Sequence, residues 1–166
     1  MTGIFYGSTT GCTEQVANTL AQTLGIAANG IHNVGTTAAT EVAQYDTLLL
    51  GSSTWGSGDL QDDWYDFIDA LSATDLTGKK VALFGCGDSE SYPDTFCGAI
   101  AQIYDALQNT NCTFIGAYAP TDYNVTDSDV CRDGLFVGLA IDESDSDDKN
   151  QARIATWCEA IKSELS

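Results

Sequence analysis

The segment Gly7-Ser8-Thr9-Thr10-Gly11-Cys12-Thr13 joins a predicted strand to a predicted helix. It directly follows the apolar run Ile4-Phe5-Tyr6, and an amphipathic helical pattern begins at its end. Hydroxyl groups and the free N–H groups of a first helical turn together form a compact site for an anion. The loop lacks the lysine of a G-x-x-x-x-G-K-[ST] nucleotide loop, so phosphate binding and a purely structural turn both remain open at this point.

The charge distribution restricts the classes of partner. The 166-residue chain carries 24 acidic and 6 basic residues, a formal charge of −18, and has no Lys or Arg from Met1 to Gly78. Nucleic acid and anionic membrane surfaces both require basic residues, so neither is an expected partner. A phosphate bound by the first loop would be held by neutral dipoles. The acidity favours either steering of basic protein partners or a solubility or high-salt adaptation, and charge alone does not separate the two.

Length and composition predict a single globular domain over residues 1–166. Hydrophobic residues make up 43% of the chain, and no apolar run reaches membrane-spanning length. The N-terminus has neither the basic stretch nor the apolar segment of a signal peptide, which predicts a cytoplasmic protein. The six cysteines are widely spaced without a C-x-x-C pair, and the chain has one histidine, so we expect reduced thiols and no metal site.

Strand-like and helical patterns alternate along the chain. The apolar runs 4–6, 47–50 and 81–84 are typical of strands buried on both faces of a parallel sheet, and 31–34 is a weaker strand. Apolar residues recur at helical spacing in four groups: Val16, Leu20 and Leu24; Leu60, Trp64, Phe67, Ile68 and Leu71; Phe96, Ile100, Ile103, Tyr104 and Leu107; and Ile154, Trp157, Cys158, Ile161 and Leu165. This alternation predicts an α/β fold with a doubly wound five-stranded parallel sheet and helices on both faces.

One stretch interrupts this alternation. After the strand-like run 113–115, residues 116–138 show no helical period, and a strand-like run resumes at 139–141. We therefore predict a fifth strand that is interrupted by an insertion of about twenty residues at 116–138, which is long for a connection inside a compact domain.

Two further loops follow predicted strands, at residues 51–59 and 85–93. In a doubly wound sheet, ligands bind outside the carboxyl ends of the strands, where these loops and the first one would meet. Trp55 and Tyr92 place one aromatic side chain in each loop, and a flat apolar ring system could lie between them. A G-x-G-x-x-G dinucleotide fingerprint is not formed after Gly85, because Glu90 occupies the third glycine position.

Taken together, these motifs resemble the flavodoxin family from one end of the chain to the other. The resemblance is carried by residues 8–13, Thr54-Trp55-Gly56 with Gly58, Gly85-Cys86-Gly87-Asp88, Tyr92-Pro93-Asp94 with Phe96-Cys97, and 133–139. The interrupted fifth strand is similar to the long-chain group of that family. The resemblance implies non-covalently bound FMN and no metal.

The resemblance also implies contacts between FMN and all three loops. Amides and hydroxyls of the first loop would bind the phosphate: Ser8, Thr9, Thr10, Gly11, Cys12 and Thr13. Ser53 and Thr54 would contact the phosphate or the ribitol, while Trp55 and Tyr92 would cover the inner and outer faces of the isoalloxazine. Backbone groups would face the ring edges, at Gly56, Ser57 and Gly58 for N5–O4 and at Cys86, Gly87, Asp88, Thr95 and Cys97 for the pyrimidine.

The function implied by the resemblance is low-potential electron transfer by a monomer that is not itself an enzyme. FMN would cycle between semiquinone and hydroquinone, and no side chain need act as acid, base or nucleophile. Implied partners are redox proteins such as ferredoxin/flavodoxin–NADP reductase or pyruvate:ferredoxin-type oxidoreductases. The alternative is an FMN-dependent NAD(P)H:quinone reductase on the same fold, which would need an open flavin face and basic groups for a nicotinamide phosphate. A third alternative is a response-regulator-like domain without flavin. It would need an acidic cluster after the first strand, where this chain has Gly7-Ser8-Thr9.

Overall fold

The computed structural model describes residues 1–8, 11–55, 58–119, 123, 125 and 128–165. The strands in this part of the chain are β1 (Thr2–Gly7), β2 (Ile31–Asn33), β3 (Thr47–Trp55), β4 (Asp59–Leu60), β5 (Lys80–Gly87), β6 (Thr113–Ile115), β7 (Cys131–Arg132), β8 (Leu135–Phe136) and β9 (Leu139–Asp142). The α-helices are α1 (Cys12–Leu24), α2 (Trp64–Ser72), α3 (Gly98–Ala106) and α4 (Asp147–Lys162). None of these helices is long and apolar enough to cross a bilayer.

A parallel sheet in the order β2-β1-β3-β5-β6 forms the centre of the molecule. The outer edge of β5 pairs with two strands in succession, β6 along 80–82 and β9 along 84–87. If β6 and β9 are counted as one edge position, the sheet has five parallel positions with the first strand between the second and third. The short strand β4 pairs antiparallel with the end of β3. The predicted doubly wound parallel sheet is confirmed.

Helices cover both faces of this sheet because its central strands are apolar on both sides. Leu48 and Leu50 join the apolar core under α2 and α3, whereas Leu49 joins the core under α1 and α4. All three leucines are fully buried. Complete burial of a side chain of this size contributes about 1.5–3 kcal/mol each to folding. The two cores together bury both faces of the sheet between two layers of helix.

Four predicted helix members, Leu60, Phe96, Leu107 and Leu165, lie outside their helices, and Leu107 follows directly after the end of α3. Leu60 is buried but lies in β4, paired with Thr54, so α2 begins only at Trp64. Phe96 is buried but lies before α3. The helix begins only at Gly98, because Cys97 adopts a left-handed conformation with a φ of +52°. Leu165 follows the end of α4. The apolar spacing predicted burial correctly at Leu60 and Phe96, but it was wrong about their secondary structure.

Residues 116–138 connect β6 to β9 along the chain, and β5 changes its pairing partner between these two strands. The hairpin β7–β8 is in this segment, and Tyr118 and Phe136 exchange backbone hydrogen bonds of 2.9 and 2.8 Å. The Tyr123 hydroxyl donates to the carbonyl of Ala140 in β9 at 2.6 Å. The described residues of this segment therefore pack against the sheet edge.

The exit from this segment generates a prediction about stability. A Cβ at Gly138 would lie 2.7 Å from the carbonyl carbon of Leu83 in β5 and closer still to its oxygen, and backbone inside a sheet cannot give way. We expect Gly138→Ala to lower the free energy of unfolding in urea by about 3 kcal/mol or more, as overpacking does at its upper end.

Gly134→Ala is the matched control, because Gly134 has a φ of +83° and open space around its missing side chain. It should lose only about 1–2 kcal/mol, the cost of a left-handed conformation. Equal losses for the two variants would contradict the close approach at Gly138.

Candidate functional site

Three loops follow the strands at one edge of the sheet, as predicted, but the second and third begin later than expected, because residues 51–55 belong to β3 and residues 85–87 belong to β5. Gly7 of β1 pairs with Ser52 of β3, and Ser53 pairs with Cys86 of β5, so the three strands end at nearly the same level. The loops that begin at Ser8, after β3 and at Asp88 therefore emerge side by side. This edge is the carboxyl end of the parallel strands, where folds of this type bind ligands.

The first loop leads into a helix start that no side chain of the described residues caps. Gly11 precedes α1 with a φ of +94°, and its N–H donates to Ser8 Oγ at 3.1 Å. The Thr13 hydroxyl is fully buried and has no hydrogen-bond partner in good geometry among the described residues. The Cys86 sulfur lies nearby, but a thiol sulfur is only a weak hydrogen-bond acceptor. An uncapped first turn with a buried, unpaired hydroxyl fits an anion. Thr9 and Thr10 lie outside the described residues.

Gly7 precedes this loop, and its lack of a side chain leaves space for Trp64 of α2. A Cβ at Gly7 would lie 2.6 Å from the Trp64 ring. The Trp64 indole N–H donates to the carbonyl of Gly51 in β3 at 2.7 Å, and the ring is fully buried. The tryptophan thus packs against Gly7 at the end of β1 and is anchored by a hydrogen bond to β3.

Some polar groups at the end of β3 and in the second loop already form hydrogen bonds within the protein. Ser53 is buried, and the Thr54 hydroxyl accepts a 3.3 Å hydrogen bond from the Ala99 N–H at the start of α3, which leaves its own O–H free to donate. Gly58 has a φ of +92°, and its carbonyl accepts from the Gln102 side chain. The side chain of Trp55 and residues Gly56 and Ser57 lie outside the described residues.

The third loop turns tightly around Asp88. Its carboxylate accepts from the N–H groups of Glu90 and Ser91, each at 3.1 Å, and its carbonyl accepts from the Tyr92 N–H at 2.9 Å. The turn leaves 54% of the Tyr92 side chain exposed. Thr95 ends the short helical turn Pro93–Thr95 and lies beside Gly58. The third loop therefore presents an exposed aromatic side chain at the sheet edge.

Two cysteines beneath this loop are buried and protonated. The pKa of the Cys86 thiol is held well above its ordinary value, first by hydrogen bonding with the Cys12 thiol and then by burial. Burial also raises the pKa of Cys97, and the negative charges of Asp142 and Glu143 add to this. A Cβ at Gly87 would lie 2.8 Å from the Cys97 nitrogen, so the backbones of these two residues are in close contact. Both thiols are thus packing groups of the protein interior.

Sequence analysis missed a polar cluster beside the third loop. Asp142 ends β9, pairs with Gly87 and is fully buried, yet four donors from Ser89 and Ser144 reach its carboxylate. Burial alone would raise the pKa of Asp142, but these hydrogen bonds outweigh it and lower the pKa below the ordinary value. The signal in the sequence is an aspartate that closes the apolar run 139–141, and it would ordinarily indicate a solvated strand end.

A groove of about 700 Å³ runs between α1 and α4, beside the first loop and away from Tyr92. Its lining includes Glu14, Glu143, Asp145 and Asp147, so it is strongly acidic. Partial burial raises the pKa of Glu143; a hydrogen bond with Cys12 opposes this, and the charges of Asp88 and Asp142 add to it. No group of three His, Cys, Asp or Glu side chains in the described ranges could hold a metal ion. The negative charge of these side chains makes the groove unsuited to an anion such as phosphate.

The chain is similar to known flavodoxins along almost its whole length. A family model described as Flavodoxin matches residues 4–157. The chain is 39% identical to flavodoxin 1 of Escherichia coli over 166 residues, covering 99% of this chain and 94% of that protein. It is 37% identical to a flavodoxin of Haemophilus influenzae over 164 residues, covering 98% and 94% of the two chains.

Solved structures give the same result. The structure of Fusobacterium nucleatum flavodoxin bound to flavin mononucleotide matches with a TM-score of 0.89 at 27% identity, covering 99% of this chain and 98% of that one. Oxidised flavodoxin 1 from Bacillus cereus matches with a TM-score of 0.71 at 29% identity, covering 97% of each chain. Because the family match runs through all three strand-end loops and nearly the full sheet, the chain belongs to the flavodoxin family.

Proposed function

We propose that this protein binds FMN non-covalently at the carboxyl ends of β1, β3 and β5 and carries single electrons at low potential between redox enzymes. The observation that carries this proposal is the start of α1: among the described residues, no side chain caps it and the buried Thr13 hydroxyl has no hydrogen-bond partner in good geometry. Membership of the flavodoxin family supports it. When bound, FMN supplies the one-electron chemistry, and the protein contributes binding, orientation and electrostatics.

The phosphate would be bound by the loop that opens α1. Its proposed ligands are amides and hydroxyls of Ser8, Thr9, Thr10, Gly11, Cys12 and Thr13. There is no Lys or Arg in this loop, so the first-turn N–H groups and the hydroxyls hold the charge. Ser53 and the free O–H of Thr54 would reach the phosphate or the ribitol.

The flavin ring would lie against the second and third loops. Tyr92 is exposed at the sheet edge and would cover the outer face of the ring, with Trp55 on the inner face. Backbone groups would line the ring edges, at Gly56, Ser57 and Gly58 on one side and at Cys86, Gly87, Asp88, Thr95 and Cys97 on the other. Stacked aromatic rings and fixed backbone dipoles bind a flat heterocycle without charged side chains.

The alternative of a quinone reductase is not favoured. Such an enzyme needs an open flavin face and basic groups for a nicotinamide phosphate, whereas we propose that the exposed Tyr92 covers the ring, and the three loops contain no Lys or Arg. We further propose that the chain is one domain of the long-chain group, with residues 116–138 as its insertion, and that it acts as a monomer in the cytoplasm. The six unpaired cysteines are typical of a reducing compartment.

Partners would dock at the edge where the ring is exposed. The carboxylates of Asp59, Asp62, Asp63 and Asp66 lie just after the second loop, and all four residues are exposed. With a net charge of −18, this surface favours partners with a basic face, such as a flavodoxin–NADP reductase or a pyruvate:ferredoxin-type oxidoreductase.

Removing the outer aromatic ring should weaken flavin binding. We expect Tyr92→Ala to raise the FMN dissociation constant, measured by fluorescence titration, by an amount that corresponds to about 1–3 kcal/mol if base-on-aromatic stacking is a fair analogue. Tyr65→Ala is the matched control, since Tyr65 is also exposed, at 46%, but lies on α2. An unchanged constant for Tyr92→Ala would rule out the stack.

The buried hydroxyl of Thr13 should discriminate between FMN and riboflavin. Thr13→Val keeps the shape of the side chain and removes the donor, so it should weaken FMN about tenfold, as for one lost hydrogen bond to a charged group. Riboflavin has no phosphate and should bind as before. Thr19→Val is the control on the same helix, because the Thr19 hydroxyl bonds only to the carbonyl of Gln15 in the described structure. Equal losses for both ligands would place the phosphate elsewhere.

Stopped-flow reduction tests the electron-carrier function directly. The FMN-loaded protein should be reduced by NADPH only when a basic flavodoxin reductase is present, and the association rate should fall as salt screens the acidic surface. Steady NADPH oxidation with a quinone and no reductase would support the enzyme alternative instead. A rate that does not change across the salt series would limit the acidity to a role in solubility.

A further inference from the structure

A buried carboxylate connects the last strand to the loop that carries Tyr92. Asp142 is fully buried at the end of β9. Its Oδ1 accepts from the Ser89 N–H at 3.2 Å and from the Ser144 N–H and hydroxyl at 3.0 and 2.6 Å, and its Oδ2 accepts from the Ser89 hydroxyl. The two serine hydroxyls lie 3.1 Å apart. The carboxylate therefore holds together two segments that are 53 residues apart in sequence.

The base of this cluster is rigid. The N–H of Asp142 donates to Asn150 Oδ1 at 3.3 Å, and Asn150 Nδ2 donates back to the Asp142 carbonyl at 2.8 Å. The buried Arg153 donates to the same Asn150 oxygen at 2.9 Å. Its guanidinium also forms a 2.9 Å ion pair with Asp145 and lies 3.8 Å from the centre of the Tyr123 ring. Asp142 is thus fixed to α4 through its backbone before its side chain contacts the loop.

The top of the cluster is the turn that presents Tyr92. Ser89 lies inside the turn from Asp88 to Tyr92, which closes through the 2.9 Å bond between the Tyr92 N–H and the Asp88 carbonyl. Ser89 is buried, whereas Glu90, Ser91 and Tyr92 are exposed. Both donors of Ser89 bond to Asp142. The turn is therefore attached to the body of the protein at Ser89, and its exposed residues project from that point.

We propose that Asp142 is a positioning residue for the Tyr92 ring: its carboxylate fixes Ser89, and through Ser89 it sets where the turn 88–92 places the aromatic side chain over the ligand site. The inference rests on the proposed function, since it concerns the outer face of the flavin. Ser144 shares the carboxylate but lies outside the turn. Loss of the Ser89 bond should therefore release the turn, and loss of the Ser144 bond should not.

The test compares Asp142→Asn, Ser89→Ala and the matched control Ser144→Ala. In the flavin-free protein, amide hydrogen exchange at Tyr92 should rise about tenfold in the first two variants, the size expected for one lost hydrogen bond to a charged group, and stay near wild type in the third. With flavin, Asp142→Asn and Ser89→Ala should weaken FMN and riboflavin by the same factor, because the ring and not the phosphate is affected. Quenching of flavin fluorescence by the protein should fall in parallel.

Several outcomes would overturn the proposal while leaving FMN binding intact. Unchanged exchange at Tyr92 in Ser89→Ala, equal damage from Ser89→Ala and Ser144→Ala, or a loss confined to FMN would each show that Asp142 does not position the ring. If Asp142→Asn does not fold, the pair of serine variants decides the question. A wild-type protein that binds neither flavin would instead refute the proposed function, and the exchange measurement would still test the attachment of the turn.

Discussion

The parallel ladder of β1, β3 and β5 is the constraint on which the rest of the molecule depends. Its register is fixed by close approach: Gly51 of β3 pairs directly with Phe84 of β5, and a Cβ at position 51 would lie 2.7 Å from an atom of the Phe84 ring. A slip by one residue would bring a side chain into that space and turn each apolar side chain to the opposite face. With the register held, the three strands end together, and the site edge follows.

An anion site without a cation then becomes possible in a protein of charge −18. Exposed carboxylates such as those of Asp62 and Asp66 are screened by water and salt beyond about 8 Å at physiological ionic strength. In the proposed function, the N–H groups at the start of α1 and the Thr13 hydroxyl would act on the phosphate at contact distance, so these local dipoles would outweigh the distant charges. In the proposed function, the same acidity disfavours additional negative charge on the ring and so lowers its reduction potential.

The fifth position of the sheet is shared by β6 and β9, and β9 ends at the edge where the three loops lie. Because β9 takes over from β6 along β5, its last residue, Asp142, lies opposite Gly87 and next to the third loop. A carboxylate buried there is stabilised by donors from Ser89 in the third loop and from Ser144, two residues further along the chain. The position of an exposed loop at the ligand edge thus depends on a strand that begins after residue 138.

Local sequence patterns were sufficient for the parallel sheet, the two helical layers and the three strand-end loops. Apolar runs such as 47–50 and helical spacing such as that of Val16 and Leu20 act over a few residues, and glycines and hydroxyls between them indicate turns. These patterns did not predict where α2 and α3 begin. The pairing of Leu60 with Thr54 and the left-handed conformation of Cys97 arise only in the folded chain.

The polar contacts of the site also needed the folded chain. The Thr54 hydroxyl bonds to Ala99, and Asp142 is buried and ionised against Ser89, a partner 53 residues away. A polar side chain beside an apolar run has the same local pattern whether it is solvated or buried. Its fate depends on which donors the sheet brings within hydrogen-bond distance, and that distance is set by the register of strands remote in sequence.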